Sequence, residues 1–161
     1  EFSASRAMTI RRIEGGIFGN LTDIDTTITP FEAGLGYFVN MDKDFIGKDA
    51  LMKKDKRTCL FGITCKTAVP KAGSKIKLNY KEVGYITAGV PSPTLQLGIG
   101  YVRFYEPNDY MNKEIEILLP DNSSHIGVVV DLPFYDKEKR IVKGIDRTIP
   151  TKPDNTVYDA K

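Results

Sequence analysis

From residue 58 to residue 132 the chain repeats one pattern, a short segment of alternating apolar and polar residues followed by a turn rich in glycine, proline, asparagine or aspartate. Alternation with a period of two is typical of strands that bury one face of a sheet. The pattern predicts six strands, at residues 58–65, 74–80, 82–88, 97–105, 113–119 and 125–132. Six short strands with turns between them favour a mainly β fold, a six-stranded antiparallel barrel with jelly-roll-like or Greek-key-like connections.

Single residues add detail to this predicted sheet. Residues 89–93 read Gly-Val-Pro-Ser-Pro, and because proline cannot donate to a strand ladder, this segment is expected to interrupt strand pairing. In the second strand, Ile76, Leu78 and Tyr80 are expected to face the interior. The tyrosines are interpreted as core residues rather than base-stacking platforms, because no basic groove accompanies them. They are Tyr80, Tyr85, Tyr101, Tyr105 and Tyr110.

The first part of the chain follows a different pattern. Apolar residues at spacings of three and four predict a helix over residues 5–18, with a stripe formed by Ala4, Met8, Ile10, Ile13 and Ile17. Gly15 and Gly16 each cost about 1 kcal/mol inside a helix, so either close packing against another backbone or the helix end is expected there. Residues 19–30 are rich in threonine and aspartate and predict a surface linker. An apolar alternating segment follows at residues 35–41.

Familiar constellations of catalytic or metal-binding residues are mostly missing from the chain. The single histidine, His125, excludes a multi-histidine metal site and is interpreted as a structural or surface residue, and no Cys-x-x-Cys pair predicts zinc. A triad of Ser92, His125 and Asp131 would need residues that nothing in the sequence brings together. Glu14 and Glu32 are open to two interpretations, general acid–base groups or capping and ion-pairing residues, of which the second is favoured. No metal site and no catalytic residue are therefore predicted in this chain.

Charge and cysteine content narrow the class of partner and the compartment. Lys and Arg total 23 against 21 Asp and Glu, a net charge of +2 that favours neither nucleic acid nor an anionic membrane surface as a partner. No apolar run approaches the roughly 18 residues of a membrane span. Cys59 and Cys65 on one strand would lie about 20 Å apart, whereas a disulfide needs Cα atoms within about 7 Å. Two buried free thiols favour a reducing compartment, the cytoplasm.

Several short motifs occur in a characteristic order along the chain. They are RIEGG at 12–16, TPFEAGL at 29–35, DFIGKDAL at 44–51, GYITAG at 84–89, SPTL at 92–95 and IGYV at 99–102. This series resembles the C-terminal part of the glycine-cleavage T-protein (aminomethyltransferase) family. The same superfamily includes tetrahydrofolate-dependent demethylases and the folate domains of dimethylglycine and sarcosine dehydrogenases.

The resemblance implies a domain organisation. Family members form a three-lobed ring around a folate channel, and their third lobe is a C-terminal six-stranded barrel, in agreement with the strand pattern. Residues 1–44 would then be the C-terminal tail of the central folate-binding region, residues 45–150 the barrel, and residues 151–161 a peripheral tail. The family's catalytic aspartate lies in N-terminal lobes that this chain lacks. The chain is therefore expected to be a fragment that is inactive alone.

The resemblance also implies two contacts with the cofactor, tetrahydrofolate. Family members place the arginine of the Arg-x-Glu helix beside folate, and Arg12 matches it. They place there as well the tyrosine of a following Tyr-Gly pair, where this chain has Phe18-Gly19, or Asn20 if no gap is allowed. The phenylalanine and the altered spacing before Pro30 would each remove a hydrogen bond to the folate tail. For Arg12 two interpretations stay open, folate contact and an intramolecular ion pair.

The implied function is the transfer of a one-carbon unit, aminomethyl or methyl, to tetrahydrofolate in the parent enzyme. The partners would be folate and a small-molecule donor, together with a carrier protein if the parent is a true T-protein. Glu32 and the loop at residues 92–94 match positions that pack the barrel onto the ring. Two alternatives stay open: the folate domain of a flavin-dependent dimethylglycine or sarcosine dehydrogenase, and a non-catalytic barrel that binds folate or a partner.

Overall fold

The computed structural model describes residues 4–148, except for the side chain of Ala4. Within this range the helices are α1 at Ala4–Glu14 and α2 at Lys48–Met52, and one turn of 3-10 helix lies at Gly36–Phe38. The strands are β1 at Leu60–Cys65, β2 at Lys75–Leu78, β3 at Lys81–Ser92, β4 at Leu97–Phe104, β5 at Glu114–Leu118 and β6 at Ser124–Val130. Residues 151–161, predicted to be a peripheral tail, lie outside the described residues.

The six strands close into one antiparallel barrel in the order β1-β4-β3-β2-β5-β6. Strand β1 completes the ring because it pairs with β4 on one side and with β6 on the other. The longest ladder joins β3 to β4, from Gly84 opposite Phe104 to Ser92 opposite Leu97. The predicted mainly β fold, a six-stranded antiparallel barrel preceded by a helix, is confirmed.

The barrel interior is filled with apolar side chains. In β5, Ile115 and Ile117 are almost fully buried, whereas Glu114, the first residue of the strand, is exposed, as the period of two requires. The aromatic rings of Phe104 and Tyr110 stack with centroids 3.5 Å apart. We call the following cluster the barrel interior: Phe61, Ile63, Cys65, Ile76, Ile86, Val102, Phe104, Tyr110, Ile115, Ile117, Leu119 and Val129.

Strand β3 continues beyond its predicted end, because pairing runs through Pro91 to Ser92. Pro91 lies opposite Gly98 of β4, so the expectation that residues 89–93 interrupt strand pairing is wrong. Strand β2 accompanies β3 only as far as Tyr85, and beyond that point β3 has a strand neighbour on one side alone. A proline fits such an edge position, since its missing N–H is not needed by a second neighbour.

Of the five tyrosines expected in the core, Tyr101 and Tyr110 are buried. Tyr80 and Tyr105 are exposed, so the expected core position is wrong for both. Tyr80 and Asn79 have φ angles of 65° and 51° and form the hairpin turn between β2 and β3. Two successive residues with positive φ are the geometry that matches the twist of a tight hairpin. This turn ends β2 before Tyr80 can take the inward position that alternation predicts.

Helix α1 ends at Glu14, several residues before its predicted end at residue 18. Gly16 has a φ of 69°. The N–H of Ile17 donates to the carbonyl of Arg12 (2.9 Å), and the N–H of Gly16 donates to that of Ile13 (3.0 Å). This pair of bonds is the Schellman motif, which closes a helix at a left-handed glycine. A Cβ on Gly16 would also lie 3.0 Å from the Cα of Pro133, so the helix end and close packing both explain this glycine.

The end of α1 packs on the outer surface of the barrel, against β3 and β4. Ile13 is fully buried there, in a cluster with Leu60, Val90, Ile99 and Tyr101. We call this cluster, with the polar side chains that surround it, the helix–barrel contact. Met8 and Ile17 are 65% and 61% exposed, so the predicted apolar stripe is buried only in part.

The segment between α1 and the barrel is built from turns. Thr29 and Glu32 form a capping box, in which the Thr29 N–H donates to Glu32 Oε2 (2.8 Å) and the Glu32 N–H donates to Thr29 Oγ1 (3.2 Å). The Glu32 carbonyl accepts the N–H of Cys59 (2.7 Å), which ties this turn to the start of β1. The capping interpretation of Glu32 is confirmed. The alternation at residues 35–41 does not produce a strand, and Tyr37 is exposed there.

Cys59 and Cys65 are free and buried, as predicted. Cys65 belongs to the barrel interior, and Cys59 directly precedes β1. Among residues 4–148, no helix has the length and apolar character needed to cross a lipid bilayer. The same residues contain no group of three or more His, Cys, Asp or Glu placed to hold a metal ion.

Candidate functional site

Arg12 lies in the last turn of α1 and forms an ion pair with the linker. Its Nη1 donates to Asp23 Oδ2 (2.6 Å) and to the carbonyl of Ile17 (2.9 Å). The Arg12 side chain is 27% exposed, whereas that of Asp23 is fully buried. Of the two interpretations left open by the sequence, the intramolecular ion pair is present. Within residues 4–148, Nε and Nη2 of Arg12 make no hydrogen bond, so they remain available as donors.

Asp23 accepts hydrogen bonds from three parts of the chain. Besides Arg12, the Gly19 N–H donates to Oδ2 (2.7 Å), and the Thr87 hydroxyl of β3 donates to Oδ1 (2.6 Å). Thr22 Oγ1 adds a longer contact to Oδ2 (3.4 Å). A carboxylate without partners would be strongly disfavoured at this depth. The donors offset that cost and join the helix, the linker and the barrel at one side chain.

Tyr101 of β4 is the aromatic centre of the helix–barrel contact. The ring of Phe18 meets the Tyr101 ring edge-on, with centroids 5.0 Å apart, and the Arg12 guanidinium carbon lies 5.8 Å from the Tyr101 centroid. The Tyr101 hydroxyl lies 3.2–3.3 Å from three carbonyl oxygens at the end of α1, those of Arg12, Ile13 and Ile17. Burial raises the pKa of Tyr101 far above its usual value. The phenol therefore stays a hydrogen-bond donor at neutral pH.

Glu14 ties the loop after β3 to the end of α1. The Ser92 hydroxyl donates to Glu14 Oε1 (2.5 Å), and the Thr94 N–H approaches the same oxygen at 3.4 Å. Ser92 Oγ in turn accepts the N–H of Leu95 (3.0 Å). Glu14 and Ser92 are both buried. This arrangement gives Glu14 a structural role as a hydrogen-bond acceptor, and within residues 4–148 it forms no ion pair of the kind considered from the sequence.

Arg12 and Phe18 both contact Tyr101, but they line different clefts. One cleft, of about 510 Å³, is lined by Met8, Thr9, Arg11, Arg12 and Ile17. Phe18 lines another cleft, of about 340 Å³, between the end of α1, the turn at residues 33–35 and the ends of β1 and β6. The described residues therefore do not bring the two predicted folate contacts into one cavity.

A third cleft, of about 250 Å³, lies where the linker meets β3 and β4. Arg103 is already paired there, with Asp25 Oδ2 (3.2 Å) and with Thr27 Oγ1 (2.8 Å). Burial, and then the nearby Glu32, raises the pKa of the Cys59 thiol to about 11. A thiol that stays protonated is a poor nucleophile. These side chains fasten the linker to the barrel rather than forming a reactive centre.

The structure does not assemble the triad considered from the sequence. His125 contacts Thr67 Oγ1 through Nδ1 (2.9 Å) and Ser123 Oγ through Nε2 (3.2 Å). Ser92 bonds at the end of α1 instead. Asp131 Oδ1 accepts the backbone N–H of the next residue. The structural interpretation of His125 agrees with these contacts.

The sequence did not indicate the roles of Asp23 and Thr87, nor that Tyr101 would contact Arg12, Phe18 and the end of α1. Asp23 stands in a run rich in threonine and aspartate, where composition predicts exposure. Thr87 and Tyr101 fall inside two of the motifs that carry the family resemblance, at residues 84–89 and 99–102. The motifs marked these strands without indicating which side chains would reach the helix.

Comparisons with known proteins bear on the same region. Residues 56–136 match the model of the glycine cleavage T-protein C-terminal barrel domain. An aminomethyltransferase from Caldanaerobacter subterraneus subsp. tengcongensis is 36% identical over 133 residues, which cover 78% of this chain and 35% of that protein. A probable aminomethyltransferase from Pyrococcus furiosus is 37% identical over 142 residues, 80% of this chain and 35% of that protein. The chain thus spans about a third of the length of the curated relatives it matches.

A solved structure agrees at the level of the fold. The aminomethyltransferase T of the glycine cleavage system from Bartonella henselae superposes with a TM-score of 0.70 and 24% sequence identity, over 81% of this chain and 38% of that one. The family model itself covers just over half of this chain, including all six strands. The chain therefore belongs to the glycine cleavage T-protein family, whose C-terminal barrel domain it contains.

Proposed function

We propose that this chain is the C-terminal part of a tetrahydrofolate-dependent one-carbon transferase of the aminomethyltransferase type. The match of residues 56–136 to the T-protein barrel carries the proposal, and relatives named aminomethyltransferase support it. In this proposal residues 1–44 belong to the central folate-binding region, and residues 45–150 form the barrel. The catalytic group lies outside this chain. Two free buried thiols favour a cytoplasmic location.

Arg12 is the proposed contact with the folate tail. Its Nη1 is occupied by Asp23 and the Ile17 carbonyl, while Nε and Nη2 stay available on a side chain that is partly exposed. A guanidinium presents such a pair of N–H groups in the geometry that a carboxylate accepts. The residues present therefore fit the glutamate carboxylates of tetrahydrofolate, which when bound supplies the nitrogen that accepts the one-carbon unit.

Phe18 is the second proposed contact with folate. Phe18 lines a largely apolar cleft together with Leu35, Leu60 and Phe61, so a flat ring would find apolar walls there. Phe18 has no hydroxyl, so its contribution to binding would be packing. Phe18 also packs edge-on against Tyr101, and the Arg12 guanidinium lies over the ring of that tyrosine.

The barrel is proposed to close one side of the folate channel. A wall packed as tightly as the barrel interior excludes water from the reacting groups, which strengthens electrostatic interactions within the channel. The bonds from Thr87 to Asp23 and from Ser92 to Glu14 hold this wall against α1. The proposed role of this chain is to bind and orient the folate tail and to exclude water from the folate channel.

The test uses the natural gene product that carries this chain. Binding of tetrahydrofolate is measured by isothermal titration calorimetry for the natural sequence, for Arg12→Ala, and for Arg6→Ala as the matched control, an exposed arginine of α1 outside the lining of the Arg12 cleft. Arg12→Ala is expected to weaken binding about ten- to hundredfold, because a hydrogen bond to a charged group is lost. Arg6→Ala should bind as the natural protein does. An unchanged affinity of Arg12→Ala would remove Arg12 from the folate site.

Turnover distinguishes the alternatives. Formation of methylenetetrahydrofolate from an aminomethyl-loaded carrier protein supports the T-protein reaction, and methyl transfer from a small-molecule donor supports a demethylase. A bound flavin, visible by its yellow colour and its absorption spectrum, would instead identify a dehydrogenase. If the gene product binds tetrahydrofolate without any turnover, the barrel belongs to a non-catalytic folate-binding protein and the transferase proposal fails.

A further inference from the structure

Asp23 is the most deeply buried acidic side chain among the described residues, and it lies in neither a helix nor a strand. A loop carboxylate normally faces water, because burial of a charge is unfavourable without compensating bonds. Both carboxylate oxygens of Asp23 accept hydrogen bonds. Oδ2 accepts from Arg12 and from the Gly19 N–H, and Oδ1 accepts from the Thr87 hydroxyl. The two oxygens therefore face different partners, the helix and the barrel.

This arrangement restricts Arg12. Nη1 has two protons, and both are engaged, one by Asp23 and one by the Ile17 carbonyl. With Nη1 anchored at two points, the planar guanidinium cannot turn about its Nε–Cζ bond without breaking both hydrogen bonds. The side of the group that carries Nε and Nη2 is then held in one orientation. A long arginine side chain would otherwise lose considerable rotamer freedom on binding a ligand.

A second pair of the same type gives a reference within the molecule. Arg103 of the barrel pairs with Asp25 of the linker, as Arg12 of α1 pairs with Asp23. The distance from Arg103 Nη1 to Asp25 Oδ2 is 3.2 Å, and the Asp25 side chain is 38% exposed. The hydroxyl and backbone N–H of Thr27 lower the pKa of Asp25 before Arg103 contributes. Asp25 thus has the same chemistry two residues away from Asp23, without the burial and without a role at Arg12.

We propose that Asp23 is the positioning residue of Arg12, and that Thr87 transmits the position of the barrel to Arg12 through Asp23. The inference rests on the proposed function, in which the Nε and Nη2 donors of Arg12 bind a carboxylate of the folate tail. It assigns the barrel a part in ligand binding beyond closing the channel. Strand β3 sets the direction of the arginine without touching the ligand.

The first measurement follows the guanidinium itself. The chain is labelled with ¹⁵N-arginine, the Arg12 side-chain signals are identified by their loss in Arg12→Lys, and the rate of rotation about the Nε–Cζ bond is measured by NMR. Asp23→Asn should speed this rotation by about tenfold or more, since a charge-assisted hydrogen bond is lost. Thr87→Val should speed it about threefold, and Thr87→Ser, which keeps the hydroxyl, should restore the natural rate. Asp25→Asn is the matched control and should leave the rate unchanged.

Two results would overturn the inference at this stage. One is a rotation rate in Asp23→Asn that equals that of the natural chain. The other, decisive should Asp23→Asn fail to fold, is an identical rate in Thr87→Val and Thr87→Ser.

The second measurement separates positioning from a general loss of structure. Binding of tetrahydrofolate and of 6-methyltetrahydropterin, which lacks the tail, is compared in the natural gene product and in its Asp23→Asn and Thr87→Val variants. Positioning predicts weaker binding of tetrahydrofolate, by about fivefold or more, and unchanged binding of the tail-less pterin. Equal losses for both ligands would show that Asp23 acts only on the fold. If Arg12→Ala leaves tetrahydrofolate binding intact, the proposed function of Arg12 fails while the rotation rates still decide whether Asp23 positions it.

Discussion

The barrel interior and the helix–barrel contact are both buried, but different forces hold them together. The interior consists of apolar side chains from the strands and from the loop that carries Tyr110. The helix–barrel contact combines an apolar cluster around Ile13 and Tyr101 with buried polar groups, among them Asp23 and the Glu14–Ser92 pair.

This difference in composition implies two different roles, stabilising the barrel and placing α1 on its surface. Apolar burial is non-directional and roughly proportional to the area removed from water, so it stabilises the barrel without specifying how a helix should lie on its surface. A hydrogen bond forms only within a narrow range of distance and angle. The bonds of Thr87 to Asp23 and of Tyr101 to the end of α1 are therefore satisfied in one helix position. We interpret the barrel interior as the source of most of the folding stability. The helix–barrel contact determines where α1 lies on the barrel.

The largest effect is expected in the barrel interior. Ile117 is 1% exposed and Ile126, on the adjacent strand β6, is 58% exposed. Ile117→Ala should lower the free energy of unfolding by about 2–5 kcal/mol, because it removes buried methyl groups and leaves a cavity. Ile126→Ala, the matched control, should change it by less than about 0.5 kcal/mol. Guanidinium unfolding curves measure both, and similar losses in the two variants would contradict the assignment of the interior.

The reactivity of the Cys59 thiol reports how completely the linker excludes water from the outer surface of the barrel. Its pKa is raised from 9.0 to about 11, chiefly by burial. In a Cys65→Ala background, alkylation by iodoacetamide at pH 8 should be roughly a hundredfold slower in the folded chain than in guanidinium, because the reactive thiolate is that much scarcer. A folded rate within about tenfold of the unfolded rate would mean that the thiol is hydrated.

The same pKa shift predicts the sign of a pH dependence. The folded pKa of Cys59 lies above the unfolded value, so the folded state holds this proton more tightly. The contribution of the thiol to stability is complete below about pH 9 and is lost as the pH rises from 9 through 11. Cys59→Ala should flatten this part of the stability profile.

An intermediate effect is expected at Ser92. Its hydroxyl donates to Glu14 at a fully buried position, while Ser124 donates to Glu116 Oε1 (2.6 Å) at an exposed one. Ser92→Ala should cost about 1.5–3 kcal/mol, because a buried carboxylate loses a donor. Ser124→Ala should cost less than about 0.5 kcal/mol, since water replaces the lost bond. If thermal unfolding gives equal shifts for both variants, polar bonds at the contact matter no more than those on the surface.

The smallest effect is expected from the hydroxyl of Tyr101. Tyr101→Phe keeps the ring against Phe18 and removes the donor to the carbonyls at the end of α1. The expected loss is about 0.5–1.5 kcal/mol, the net value of one neutral hydrogen bond. Faster amide hydrogen exchange in the last turn of α1 should accompany it. Tyr105→Phe, which removes an exposed bond to Glu82, is the control for the loss of a phenol alone.

The strands were predictable because their signal is local. Alternation places one face of each strand in the core, and every segment from residue 58 to residue 132 that was predicted as a strand forms one. The ends were less predictable. The extension of β3 through Pro91 without a second strand neighbour depends on β2 beginning only at Lys75, opposite Tyr85, and the exposure of Tyr80 depends on a hairpin turn with positive φ. Both are consequences of pairing, which a single segment does not encode.

The candidate site was predictable only in part. Arg12 was singled out through the family motif at residues 12–16, and its ion pair was one of two interpretations left open. Its partner was not identified, because an aspartate in a polar loop normally faces water. The early end of α1 at Glu14 was missed as well, although Gly15 and Gly16 marked the place.

By itself the sequence determined a six-stranded barrel with a helix before it and the family to which the barrel belongs. The tertiary structure alone decided which polar side chain of the linker would be buried. Asp23 is stable there because its donors come from α1, from the turn at Gly19 and from Thr87, 64 positions further along the chain. A buried charge is tolerated only where such partners converge, and their convergence is a property of the folded chain.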